Sequence, residues 1–271
     1  MALDGSDERM SGIRGVAVLA LVAALAGGCA GKSPAVPVGT ADADKFLFDK
    51  GNAAAKDRKW LNAREYLRNL VDNYPQSPYR PDAKLALGDT YIGEKSTESL
   101  LLAANEFREF LTFYPTHPRA DYAQLQLARS FMLQMLAPER DQSATRDAIK
   151  EVEIFLQRFP NSGLMPDARV MEREARDRLS EAEYNVGFFY YRMKWNPGAI
   201  DRFMDLLKSD PGFSNRDAVY YHLAECLYRT AKPAEALPYY ERLLREFEQS
   251  EFLDLTQKRV AELKGGVPAG K

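Results

Sequence analysis

The feature that most limits how this chain can fold is an internal repeat of small residues at fixed intervals. Gly51 and Ala63 stand twelve apart and are followed by Leu67, Leu70 and Pro75; Gly187 and Ala199 keep the same spacing and are followed by Phe203, Leu206 and Pro211. Ala224, Ala236, Tyr240 and Leu243 give a third copy, with Glu248 in the place of the proline. Two middle copies keep their second halves, Ala103, Phe107, Phe110 and Pro115, then Ala148, Val152, Phe155 and Pro160, with first halves centred on Gly88 and Ala128. The apolar residues between recur with a helical period and without strand alternation. A small residue on each helix of a pair lets the backbones approach, and bulky residues four and seven positions after the second one share a face. We expect that face to fill the gap to the next hairpin. One hairpin cannot bury it and a stack can, so the pattern predicts an all-α solenoid of about five helical hairpins.

The punctuation agrees with this reading. Each proline stops a second helix, and Asp82, Asp121, Asp167 and Asp217 each open the next helix, where a negative charge favours the dipole. Pro81 and Pro166 suit a first helical turn, where a missing N–H costs little. The arrangement resembles the tetratricopeptide repeat, with five copies between Lys45 and Glu248. The prolines at 75, 115, 160 and 211 lie 40, 45 and 51 residues apart, which makes these repeats longer than the ~34 residues of the common form. No helix breaker interrupts Ala168 to Tyr184, so one long helix is expected to run from the third unit into the fourth. The units then divide into an N-terminal block, 45–165, and a C-terminal block, 166–264, followed by a tail, 265–271, that reads as disordered.

Ahead of the repeats lies an address. Residues 16–25 are an uninterrupted apolar run of ten, far short of the ~20 that cross a bilayer as a helix and suited to a secretory signal. Arg9 and Arg14 supply positive charge before it; Asp4, Asp7 and Glu8 dilute that charge, and a start at Met10 would remove them. Small residues then lead into a cysteine, Leu25-Ala-Gly-Gly-Cys29, which resembles the lipobox of bacterial lipoproteins. The resemblance implies a signal peptide over 1–28, a covalent lipid on Cys29, and, with Ala30 rather than an acidic residue next, sorting to the outer membrane. Residues 29–44, rich in Pro, Gly and Ala, read as the flexible tether. The string from Ala26 to Ser33 also fits a relaxed phosphate-loop pattern. It lacks the preceding strand, and Pro34 and Pro37 deny it the helix on which phosphate binding depends.

Local strings within the repeats carry a closer resemblance: Asn73-Tyr-Pro-Gln-Ser-Pro-Tyr79, Tyr114-Pro-Thr-His-Pro-Arg-Ala-Asp-Tyr122, Arg140-Asp-Gln-Ser-Ala-Thr-Arg-Asp-Ala148, Phe159-Pro-Asn-Ser-Gly163, and Tyr184-Asn-Val-Gly-Phe-Phe-Tyr190 before Ala199-Ile-Asp-Arg-Phe203. In order and spacing these are similar to the ComL-type, or BamD, lipoproteins of the outer-membrane β-barrel assembly (BAM) machinery, over about residues 45–255. The resemblance implies a non-enzymatic subunit anchored to the lipid bilayer by its acyl chains and facing the periplasm. Its implied partners are a POTRA domain of BamA, docked through the C-terminal repeats, other BAM lipoproteins, and unfolded outer-membrane β-barrel proteins held on the N-terminal repeats. Arg202 occupies the family's Asn/Asp-Arg position and is the candidate for the ion pair with BamA; a guanidinium can hold a carboxylate bidentately. For the client groove, repeat geometry selects the residue after each first-helix small residue: Asn52, Asp89 and Arg129.

Other chemistry finds little support. A formal charge of −2 argues against a nucleic-acid binder. Two histidines in separate units, His117 and His222, lack the clustered shell of a metal site, and no cofactor is expected beyond the lipid. No Gly-x-Ser-x-Gly or His-Glu-x-x-His string marks a hydrolase. Cys226 reads as a small buried side chain. Tyr190, Tyr191 and Trp195 read as an aromatic core cluster, with Tyr191 and Trp195 on one helical face. The repeats by themselves also permit a different periplasm-facing adaptor, serving cell-wall synthesis or envelope constriction.

Overall fold

In the computed structural model, which describes residues 42–265, the small residues form the seams of the hairpins. A Cβ built on Gly51 would lie 2.6 Å from Leu67 Cγ; one on Gly88, 2.5 Å from Phe107 Cζ; one on Gly187, 2.6 Å from Phe203 Cε1. In each case the bulky side chain four residues after the second small one lies over the glycine of its own hairpin. The same side chains also share core clusters with the following hairpin, Leu67 with Ala83 and Leu87, Phe107 with Ala123 and Leu127, and Phe203 with Val219 and Leu223, so this face fills the gap between units as the pattern predicts. All ten small positions, Gly51, Ala63, Gly88, Ala103, Ala128, Ala148, Gly187, Ala199, Ala224 and Ala236, are buried.

Eleven helices and no strands occur among the described residues. The first ten pair as α1 (Ala43–Lys56) with α2 (Trp60–Asn73), α3 (Arg80–Glu94) with α4 (Thr97–Phe113), α5 (Ala120–Met132) with α6 (Ser143–Arg158), α7 (Met165–Arg192) with α8 (Asn196–Ser209), and α9 (Arg216–Arg229) with α10 (Pro233–Glu246). Each helix packs mainly on its neighbours in sequence, the signature of a stack. Asp82, Asp121, Asp167 and Asp217 all sit in first turns, and Pro81 and Pro166 fall at the first or second helical position. Helix α7 is 28 residues long and crosses the boundary between the two blocks, its start against α6 and its end against α8. The signal segment, Cys29, the tether up to residue 41 and the tail from 266 lie outside the described residues.

Two devices close the turns. Within four of the hairpins a non-glycine residue adopts the left-handed conformation: Arg58 (φ 57°), Lys95 (62°), Lys194 (60°) and Ala231 (58°). Between hairpins, a tight turn recurs in which the amide of Ser77, His117, Ser162, Phe213 or Ser250 donates to the carbonyl three residues before it. The last of these lacks the proline and still leads into a further helix, α11 (Leu253–Lys264), which begins with an acidic first turn at Asp254. This helix packs on α10 as the first helix of a further unit, beyond the five repeats read from the pattern.

Candidate functional site

Two surfaces collect the functional candidates. The first is a groove of about 670 Å³ between the first helices of the opening two units, lined by Asn52, Lys56, Trp60 and Asp89 among others. Its origin is the seam itself: Gly51 and Gly88 point into their hairpins, so the next residue on each helix is rotated by about 100° and faces outward along the stack. Asn52 and Asp89 are thus brought together. Arg129 is exposed and lies outside this groove, though its charge reaches Asp89. Asp89 is half-buried, and its Oδ1 accepts a hydrogen bond from the Tyr122 hydroxyl at 2.8 Å. Burial raises the Asp89 carboxyl above the usual carboxylate value against the opposing pull of Tyr122, Arg119 and Arg129. Burial and the neighbouring carboxylate push the Tyr122 phenol up to about 12. Arg119 stacks over the Tyr122 ring, 4.6 Å from its centre, and pairs with Asp82 at 3.0 Å, tying the second unit to the third. Trp60 was not foreseen in this groove. Its signal was Gly93, where a Cβ would meet Trp60 Cη2 at 2.6 Å.

The second surface is a cleft of about 420 Å³ where α6, α7 and α8 meet, and Arg202 lines it from α8. Its floor is apolar, formed by Ile149, Leu179 and Leu206. Arg202 is exposed and has no carboxylate within 4 Å among the described residues. At the rear of the cleft Asp210 is fixed by Arg173 in a bidentate pair and by the Ser180 hydroxyl at 2.6 Å. Burial alone would raise the Asp210 carboxyl; these donors hold it below the usual value.

A family described as outer membrane lipoprotein, YfiO, matches the chain over residues 40–229. The chain belongs to this family. A tetratricopeptide-repeat model also matches residues 218–250, the hairpin of α9 and α10. The outer membrane protein assembly factor BamD of Caulobacter vibrioides is 28% identical over 207 residues, 76% of this chain and 67% of that protein. The BamD of Rickettsia prowazekii is 24% identical over 79% of this chain and 80% of its own length. That of Xylella fastidiosa is 27% identical over 62% of this chain, and the match spans only 60% of its length. No helix among the described residues is long and apolar enough to cross a membrane. The family match covers the first four hairpins and both surfaces above, and it ends near the close of α9.

The aromatic cluster near the end of α7 differs from the pattern expected. Helix α7 ends at Arg192, Lys194 turns left-handed, and Trp195 becomes the residue capping α8, so Tyr191 and Trp195 share no helical face. Trp195 is 55% exposed, with its ring edge-on to Tyr190 at 4.7 Å. Tyr191 instead turns toward His222, which is buried among Tyr184, Phe188, Tyr191, Tyr221 and Phe252. The His222 Nδ1–H donates to the Ala218 carbonyl at 2.7 Å. His117 is a turn residue whose Nδ1 accepts from the Arg119 amide at 3.1 Å. Cys226 is fully buried, and burial pushes its thiol up to about 12.

Proposed function

We propose that the chain is a non-enzymatic lipoprotein subunit of the outer-membrane β-barrel assembly machinery, anchored through a lipid on Cys29 and facing the periplasm. In this reading the C-terminal units dock a POTRA domain of BamA through Arg202, and the N-terminal groove holds extended segments of unfolded outer-membrane proteins. The observation that carries it is the family match over 40–229, which contains both the groove and the Arg202 cleft. Each surface suits its task physically. An exposed guanidinium without an internal partner is free to take a carboxylate from another protein. A groove that offers an amide, a carboxylate and an indole to one extended strand can hold backbone and side chains without demanding a single sequence. Arg202→Glu should weaken co-purification of BamA and leave the far-UV circular dichroism intact; undiminished co-purification contradicts the docking role. Photocrosslinkers placed at 52, 89 and 129 should label a client's C-terminal peptide, whereas labelling confined to the opposite face contradicts the groove.

A further inference from the structure

The Arg202 cleft holds a second unengaged guanidinium. Arg146, on α6, faces Arg202 across the portion of α7 that carries Leu179 and Glu183. Like Arg202, it is exposed, and it has no carboxylate within 4 Å among the described residues. The third arginine of the cleft, Arg176, behaves differently: Glu153 holds it at 2.6 Å and Glu172 at 3.3 Å, so its charge is already spent inside the molecule. The cleft therefore presents two free cations on neighbouring units, with an apolar strip of Ile149, Leu179 and Leu206 between them.

We infer that Arg146 and Arg202 form a two-point clamp for an acidic protein segment, whose two carboxylates take the guanidinium groups while an apolar side chain between them seats on the strip. This rests on the docking role proposed for Arg202 and adds to it the chemistry of the partner and a second anchor one hairpin away. A protein segment fits better than a phosphate headgroup because Glu183 and Asp205 also line the cleft. These carboxylates weigh against any anion, but they can accept hydrogen bonds from the backbone N–H groups of a peptide lying beside them, donors that a phosphate headgroup lacks. The apolar floor likewise has no use for a headgroup and rewards a buried aliphatic side chain.

The test uses the full-length lipidated protein, extracted in detergent, with capture of the POTRA-bearing barrel subunit measured at low and at physiological salt. Arg146→Glu should weaken capture by about tenfold at low salt, with the difference from the unmodified protein narrowing at physiological salt as both the lost attraction and the new repulsion are screened. Lys150→Glu, one turn further along α6, exposed and outside the cleft, makes the same change in net charge and should leave capture as it was. Arg146→Gln supplies a milder version should the reversal perturb folding, and it should fall between the two. Loss of capture with Arg202→Glu but equal behaviour of Arg146→Glu and Lys150→Glu would overturn the clamp and leave the docking role standing. Unchanged capture in both arginine variants would overturn both. A non-lipidated form that floats with phosphatidylglycerol vesicles only when Arg146 and Arg202 are present would overturn the choice of a protein segment.

Discussion

At single positions, the repeat is held by contacts that leave no room for adjustment. Phe203 is fully buried, so the ring beneath Gly187 cannot move aside for a larger neighbour. Gly187→Leu should therefore cost about 1–3 kcal/mol by overpacking the seam, read as a fall in thermal midpoint. Gly163 stands in open space, with nothing within 4 Å of a built Cβ, and Gly163→Ala should be neutral or stabilise by up to about 1 kcal/mol through the unfolded chain. Equal effects of the two would contradict the seam. Ala231 illustrates what the residue pattern conceals: a left-handed φ of 58° is legible in sequence when glycine supplies it, and here an alanine does. Ala231→Gly should relieve the clash of Cβ with the following carbonyl and stabilise by about 1 kcal/mol; a lower midpoint would contradict the strain. His222 sets a pH dependence. Burial holds its imidazole below the usual value, so the folded chain keeps it neutral while the unfolded chain takes up a proton near pH 6.5. The stability it contributes is complete above about pH 6.5 and is lost as the pH falls below it. His222→Phe should flatten the slope of stability between pH 7 and 5, and an unchanged slope would contradict this.

At the scale of helices, the end of the stack was the least legible part. The small-residue register at Ala224 and Ala236 was readable, and so was the long helix, because Ala168 to Tyr184 contains no breaker. Helix α11 was not read because Glu248 replaces the proline that marks every other turn; the surviving signals were Ser250 in the turn and Asp254 after it. What secures α11 is an ionic hub that periodicity cannot reveal. Glu225, almost fully buried on α9, accepts from the Tyr240 hydroxyl at 2.6 Å and from Arg259 Nε of α11 at 2.9 Å, with Arg229 at 3.6 Å. Burial by itself would raise the Glu225 carboxyl; these donors and the arginine charges bring it below the usual value. Its contribution is present above the unfolded carboxylate value and is lost as the pH falls through the folded one. Arg259→Met leaves a buried carboxylate without its main partner and should cost about 3–5 kcal/mol, with amide exchange in α11 and α9 accelerating together. Protection that stays uniform across the stack would contradict the hub.

Across the whole molecule, a chain of nearest-neighbour units carries two different surfaces, one at the start of the stack and one past its middle. The fold was largely legible because stacking imposes a repeat on the sequence. The surfaces were legible only in part. Asn52 and Asp89 follow from the rotation after each seam glycine, while Arg129, chosen by the same rule, belongs to the third unit and stands outside a groove that the first two units form. Trp60 and Arg146 depend on which units come together, which no single repeat encodes. Helix α7 lines the cleft, while α1, α2 and α3 form the groove, so the two are joined through the intervening units as one frame of stacked neighbours. The central claim is that this frame belongs to an outer-membrane assembly subunit, and its most direct test is crosslinked co-purification from detergent-solubilised membranes, with mass spectrometry of the partners and of the N-terminal peptide. The account predicts a POTRA-containing barrel protein together with a triacylated peptide beginning at Cys29. Recovery of peptidoglycan synthases in its place would contradict it.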